Sequence, residues 1–326
     1  MDNQALPFRK LGNSDVSISA LGLGCWQFSK GNGMVGKFWP SMKQEDINEI
    51  IKICYEGGIN WFDTAEAYGK GQSEEALGDA LNELGAEDAL VATKWWPLLR
   101  TAKNIPRTID QRLQALKGRK IDLYQVHQPY SFSSAEKEMN AMADLLEEGK
   151  IGHAGVSNFN AASMRKAHEA LQKRGFQLSS NQVKYSLLDR RIEENGILEA
   201  AREIGATIIA YSPLEQGILS GKFHRQPELL KNLSGPRKHF SQFKGKALAK
   251  SLPLIDLLEK LGEEYGVKPG QVALNWLIRY HGDTVVAIPG ASKLRHAKEN
   301  IGTLRFSLSD AHMEEIDAMS KKVTKG

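Results

Sequence analysis

Only two cysteines, Cys25 and Cys54, occur in 326 residues. That is too few for a disulfide framework, so a reducing compartment is expected, with the cytoplasm as the default location. No stretch approaches the roughly 18 uninterrupted apolar residues of a membrane-spanning helix, so no membrane is expected as a partner. The opening MDNQALPFRKLGNSD lacks the basic segment and apolar run of a secretory leader. Eight histidines are present, but they form no HxH or HExxH pair, and no metal site is expected. Charge of one sign is scarce too. The 43 Lys and Arg against 39 Asp and Glu leave a scattered surplus of +4. No basic stripe interleaved with aromatics points to nucleic acid. A composition 41% apolar and 25% charged is that of an ordinary globular chain and argues against disorder.

Two apparent nucleotide motifs fail on context. Residues 31–36, GNGMVG, match G-x-G-x-x-G, but Lys37-Phe38-Trp39-Pro40 follows instead of an amphipathic helix. Residues 217–222, GILSGK, resemble a phosphate-binding loop with the wrong spacing and no following Ser or Thr.

What is present is alternation. Short β-rich runs fall at 19–26, 59–65, 89–96, 121–127, 152–158, 178–186, 207–213 and 284–290. Between most of them apolar residues recur at helical spacing, as in Ile47, Ile50, Ile51 and Cys54. Ser73 is expected to open one helix, and Ser133 with Glu136 to form a capping box before another at about 134–148. Eight strands alternating with helices predict a parallel α/β architecture that closes into a (β/α)8 TIM barrel, one domain over residues 1–326. The rival is an open doubly wound sheet with a second domain, but no linker breaks the alternation. Residues 8–18 predict an N-terminal β-hairpin turning at Gly12-Asn13 and plugging the barrel bottom. Residues 214–250 predict a long loop after strand seven, with no clear periodicity.

In a barrel, chemistry belongs to the C-terminal ends of the strands. Asp63, Lys94 and His127 end three consecutive predicted strands, and Tyr68 follows Asp63 in the loop EAYGKGQ. Each alone is better explained by a buried structural ion pair; the four together point to a site. Reduction of a carbonyl needs a proton for the developing alkoxide. A free tyrosine has a pKa of about 10, and a neighbouring Lys94 ammonium is expected to lower it. Asp63 is expected to hold Lys94 and offset its burial. His127 is expected to orient the carbonyl by a hydrogen bond.

FDTAEAYG, ATKWW and LYQVHQP resemble the segments carrying the catalytic tetrad of the aldo-keto reductase superfamily. The resemblance runs from about Phe8 to Ser309 and is closest to the branch of bacterial general reductases and potassium-channel β-subunits. It implies NADP(H) as cofactor and a small aldehyde or ketone as substrate. It implies that Ser157, Asn158 and Gln182 hold the carboxamide and that Tyr211 stacks on the nicotinamide. Ser212, Leu214, Gln216 and Lys222 take the positions that line the pyrophosphate. Gly290, Ser292, His296, Glu299 and Asn300 take those at the adenosine end, and Trp26 lies near cofactor or substrate. Ser292, Lys293 and Arg295 offer partners for a 2′-phosphate. Gln128 stands where many members carry Trp. Three functions remain open: a carbonyl reductase using NADPH, an NADP(H)-binding redox-sensing subunit with slow turnover, and an enzyme running chiefly as an alcohol dehydrogenase. Substrate and oligomeric state are not readable.

Overall fold

The computed structural model describes residues 6–31, 36–233 and 235–325. Residues 1–5 of the opening stretch and residues 32–35 of GNGMVG lie outside the described residues.

Strands β1 (Phe8–Lys10) and β2 (Ser17–Ser19) form the expected antiparallel hairpin. Gly12 enters its turn at φ +59°, a left-handed conformation that glycine adopts without strain. Leu11 and Ile18 pack with Trp61, Ala92, Leu123, Ile209 and Val286 in one buried apolar cluster. Arg9 donates to the carbonyls of Gly282 and Val285 at 2.6 and 2.5 Å. The hairpin is therefore fastened to the end of the barrel at which its strands begin.

The barrel strands are β3 (Leu23–Gly24), β4 (Trp61–Asp63), β5 (Leu90–Trp95), β6 (Ile121–Val126), β7 (Ile151–Ser157), β8 (Leu178–Lys184), β9 (Thr207–Tyr211) and β10 (Val285–Ala287). They lie in sequence order, each parallel to the next. Parallel bridges Leu21–Ala287 and Gly24–Gly290 close the first strand onto the last. All eight predicted runs are strands. They are buried on both faces, which is why they read as continuous apolar runs with little alternation.

Helices α1 (Gln44–Glu56), α2 (Gln72–Leu84), α3 (Asn104–Ala115), α4 (Ala135–Glu147), α5 (Ala161–Gln172) and α6 (Ile197–Ile204) follow β3 to β8 in turn. Helix α1 buries Ile47, Ile50, Ile51 and Cys54, the stripe expected from their spacing. Two expected caps are corrected. Helix α2 starts at Gln72 after a left-handed Gly71. Ser73 turns inward, donating to the Cys25 carbonyl at 2.7 Å and accepting from Thr64 at 2.9 Å. The cap of α4 is Ser134, which accepts from the Lys137 amide, while Ser133 accepts from the Ala102 amide at 2.9 Å.

The long segment after β9 holds short 3-10 turns, a one-turn helix α7 (Lys222–Arg225) and the start of α8 (Gly245–Tyr265). Its last six residues are thus helical rather than loop. Helices α9 (Pro269–Arg279), α10 (Leu294–Thr303) and α11 (Asp310–Lys325) complete the chain. Among the described residues no helix is long and apolar enough to cross a membrane.

Two measurements check this packing. Gly69, at φ +67°, leaves no room for a Cβ against the Ser29 carbonyl. Gly69→Ala is expected to destabilise the chain by about 1–3 kcal/mol in urea titration, from left-handed strain and collision together. Glu138 is 2% exposed, and burial pushes its carboxyl up to about 7 against a hydrogen bond from Ser131. A raised folded-state pKa stabilises the fold below about pH 4.5, and that contribution is lost as pH rises through 7. Between pH 5 and 8 the parent chain should therefore lose roughly 3 kcal/mol more than Glu138→Gln; equal losses would show that Glu138 does not titrate in this way.

Candidate functional site

The ionisable residues expected at strand ends converge at the C-terminal mouth of the barrel. Asp63 is the last residue of β4, Lys94 is the last but one of β5, and His127 directly follows β6. Lys94 Nζ lies 2.5 Å from Asp63 Oδ1 and donates to the Thr64 carbonyl at 2.7 Å. The two side chains are 0% and 2% exposed, so the pair is fully desolvated. Asp63 Oδ2 accepts from Gln182 at 2.8 Å and from Gln125 at 3.4 Å. Ser180 donates to Gln125 Oε1 at 3.3 Å. Gly155 of β7 makes space for this layer, since a Cβ there would meet the Ser180 hydroxyl.

Tyr68 sits in the β4–α2 loop, its amide bonded to the Ala65 carbonyl at 3.0 Å. Its ring centre is 5.1 Å from Lys94 Nζ and 5.6 Å from the His127 ring. Burial first, then the Asp63 carboxylate and Cys25, push its phenol well above the ordinary tyrosine value. The expected lowering by Lys94 is thereby reversed. Lys94 directs its hydrogen bonds at Asp63 and Thr64, and the Asp63 charge opposes its effect on the phenol. Burial and the Lys94 charge hold the His127 imidazolium well below its usual range, so the ring is neutral at neutral pH. His127 Nδ1 is buried with no hydrogen-bond partner.

Aromatic rings wall this group. Trp26 stacks near Tyr68 at 6.1 Å and touches Phe38 and Trp39 at 5.1 and 5.9 Å. Trp96 stands edge-on to His127 at 5.2 Å. Trp26, expected near cofactor or substrate, stands beside Tyr68.

The residues assigned to a nicotinamide cofactor line the next sector. Asn158, at φ +61°, accepts from the Tyr211 hydroxyl at 3.0 Å and donates to Ser157 Oγ at 3.1 Å. Ser157 in turn donates to the Gln182 carbonyl at 2.8 Å. Gln182 uses its amide on Asp63, so it also belongs to the carboxylate's shell. Beyond β9 the backbone turns left-handed at Ser212, Glu215, Gln216 and Gly217. Glu215 is anchored by Lys184 at 3.0 Å and by Ser186 at 2.9 Å. Leu214 packs against the apolar core.

Lys222 is drawn below its usual value by burial and by Arg237, Arg295 and Lys293, with Glu299 opposing. His296 is pushed to about 4 by burial, then by Arg295, Lys222 and Lys293. It lies 3.4 Å from Ser292 Oγ. Asn300 is buried, with Nδ2 unpartnered. Gly290, bridged to Gly24, leaves no room for a Cβ beside the Gln27 amide. This mutually repelling set of cations and the orphaned amide suit an anionic ligand that also offers hydrogen-bond acceptors. A phosphate-bearing dinucleotide fits those terms.

Sequence reasoning missed Arg237. It lies in a 3-10 turn (Gly235–His239) without periodicity, donates to the Gln216 side chain and carbonyl at 3.1 Å, and stacks 4.2 Å over Trp39. Burial pushes its guanidinium down to about 10. No sequence signal distinguishes it from other basic residues of that segment.

Residues 20–321 match the family model described as the aldo/keto reductase family. An uncharacterized oxidoreductase of Mycobacterium bovis is 38% identical over 296 residues, covering 90% of this chain and 86% of its own. An aldo-keto reductase of Schizosaccharomyces pombe, whose name carries NADP(+), is 30% identical over 326 residues, covering 96% and 91%. The solved glycerol dehydrogenase of Gluconobacter oxydans superposes with a TM-score of 0.85 at 27% identity, covering 98% of this chain and 96% of that one. The chain belongs to the aldo/keto reductase family, whose fold and nicotinamide-dependent carbonyl chemistry it shares.

Proposed function

We propose that this chain reduces an aldehyde or ketone with NADPH and that Tyr68 delivers the proton. The observation that carries this reading is the Tyr68 ring set between the desolvated Lys94 ammonium, 5.1 Å from its centre, and the His127 ring, 5.6 Å away. A phenol with a raised pKa stays protonated throughout the physiological range, so the donor form is always present. Its O–H donates to the substrate carbonyl oxygen and polarises it. As negative charge moves onto that oxygen, the phenol proton follows. The Lys94 ammonium, fixed by Asp63 and Thr64, stabilises the tyrosinate left behind. His127 holds the carbonyl in line, and its neutral ring leaves the oxygen to take its proton from Tyr68 alone. The aromatic walls exclude water and strengthen these electrostatic terms.

When bound, the reduced nicotinamide supplies the hydride. Ser157, Asn158 and Tyr211 would hold its ring, and Ser212, Leu214, Gln216 and Lys222 its pyrophosphate. Gly290, Ser292, His296, Glu299 and Asn300 would hold the adenosine end. Arg237 joins the pyrophosphate group through its bonds to Gln216. NADPH is favoured over NADH because Lys222, Lys293 and Arg295 form an excess of positive charge beside Ser292 and His296. A 2′-phosphate relieves it.

Two experiments test this. Tyr68→Phe should lower kcat with a small aldehyde by about 10²–10⁴-fold, the range of general acid catalysis. NADPH affinity, read by fluorescence titration, should stay nearly intact; unaltered turnover in the variant rules out the role. Ser292→Ala combined with Arg295→Ala should weaken NADPH by about tenfold or more, as expected for lost hydrogen bonds to a charged group. NADH should be affected far less, and equal losses for both cofactors remove these residues from the 2′-phosphate site.

A further inference from the structure

Tyr68 is joined to helix α2 by an uncommon piece of chain. Gly69, Lys70 and Gly71 are left-handed in succession, at φ +67°, +57° and +95°. The two glycines accept this freely, but a lysine there is strained. Such a run keeps one shape only where its surroundings hold both ends. At one end the Tyr68 amide donates to the Ala65 carbonyl at 3.0 Å, and the Tyr68 carbonyl accepts from the Ser73 amide at 3.2 Å. At the other end is the first turn of α2, where Ser73 and Glu74 are both fully buried.

Glu74 is fastened to two other elements. Its Oε1 accepts from the Thr93 hydroxyl of β5 at 2.6 Å, and its Oε2 pairs with Arg112 of α3 at 2.5 Å. Thr93 directly precedes Lys94, so the two side chains leave β5 on opposite faces. Lys94 turns into the barrel to meet Asp63, and Thr93 turns outward to meet Glu74. One strand thus carries both the ammonium beside the Tyr68 ring and the anchor of the loop that presents Tyr68. The other charged groups acting on Glu74 are Glu66, in the loop after β4, and Lys94 itself.

Stability does not account for this arrangement. The Arg112 and Glu74 side chains are 9% and 0% exposed. Burial pushes the Glu74 carboxyl up to about 7 against the pull of Arg112 and Thr93, so desolvation outweighs the attraction. Arg112 Nε and the Tyr124 hydroxyl, which feels the charges of Glu66 and Glu74, are buried without a hydrogen-bond partner. Apolar side chains of similar size in place of such a pair often leave a fold as stable or more so. What the pair does supply is one directed geometry between α2, α3 and β5.

We infer that Glu74 is a positioning residue for Tyr68. Through Thr93 and the first turn of α2 it sets the spacing between the phenol and the Lys94 ammonium, 5.1 Å from ring centre to Nζ. It works from the outer face of β5, and it acts on the reaction only through these neighbours. This inference rests on the reading of Tyr68 as proton donor.

The test is a set of variants assayed at pH 8, where Glu74 is ionised, with NADPH and a small aldehyde. In Glu74→Gln, kcat should fall by about 10- to 100-fold, as for a displacement near 1 Å at the reacting groups. KM for the aldehyde and NADPH affinity by fluorescence titration should stay within about twofold, since ground-state binding is untouched. Thr93→Val, which removes only the bond to β5, should give a smaller loss of the same kind. Glu74→Leu combined with Arg112→Met leaves no buried charge unpaired, so it should fold even if Glu74→Gln does not. Its urea midpoint should match or exceed the parent's while kcat still falls. In a Tyr68→Phe background, Glu74→Gln should change the single-turnover rate by less than about twofold, because residues that act as a unit are not additive. An unaltered kcat in folded Glu74→Gln overturns the inference. So does an equal loss in the Tyr68→Phe background, or a loss in the Leu–Met variant that comes with a lowered midpoint. Those results leave Tyr68 its role; full turnover in Tyr68→Phe alone removes both readings.

Discussion

Lys94 and Asp63 meet inside the barrel with almost no solvent contact, and the site is arranged around the cost of putting them there. Removing two charges from water costs several kcal/mol each unless their remaining hydrogen-bonding capacity is also met. Here it is met from several directions. Thr64 takes one ammonium hydrogen, while Gln125 and Gln182 cover the second carboxylate oxygen. Strands β4, β5, β6 and β8 are therefore joined by one polar layer, and β7 yields its side chain at Gly155 to admit it. The strand ends cannot drift apart without exposing a charge to an apolar interior.

That constraint explains the state of the other groups. Burial and the Asp63 carboxylate keep the Tyr68 phenol protonated at rest, with the Lys94 ammonium beside its ring. The same ammonium keeps His127 from gaining a second charge. The result is an enclosed centre with two neutral hydrogen-bonding groups beside a compensated pair. A second centre, of opposite character, lies around Lys222, Arg237, Lys293 and Arg295, where cations are left mutually repelling. Trp26 and Trp39 link the two centres, Trp26 lying beside Tyr68 and Trp39 beneath Arg237.

The barrel was legible because parallel strands covered on both faces leave short continuous apolar runs, separated by helical stripes such as Ile47–Cys54. Asp63, Lys94 and His127 were legible because an ionisable residue at the end of such a run is out of place unless it serves something. The direction of the Tyr68 shift was not legible. It depends on burial and on where Lys94 points its hydrogens, neither of which spacing encodes. Ser73 looked like a cap because it precedes acidic residues, but its hydroxyl is claimed by Cys25 and Thr64 from another loop. Arg237 was missed because 3-10 turns carry no repeating apolar face. Its partners, Gln216 and Trp39, come from distant parts of the sequence.

The seam at Gly24 and Gly290 has a consequence for biosynthesis. First and last strands touch there through bare backbone, and Arg9 caps carbonyls of Gly282 and Val285. During translation the hairpin and β3 are made some 270 residues before their partners. Until then the growing chain is an open sheet with an unsatisfied edge on β3, the type of surface that pairs with other nascent chains. The closure of the barrel thus leaves the β3 edge open to pairing until the last strand arrives.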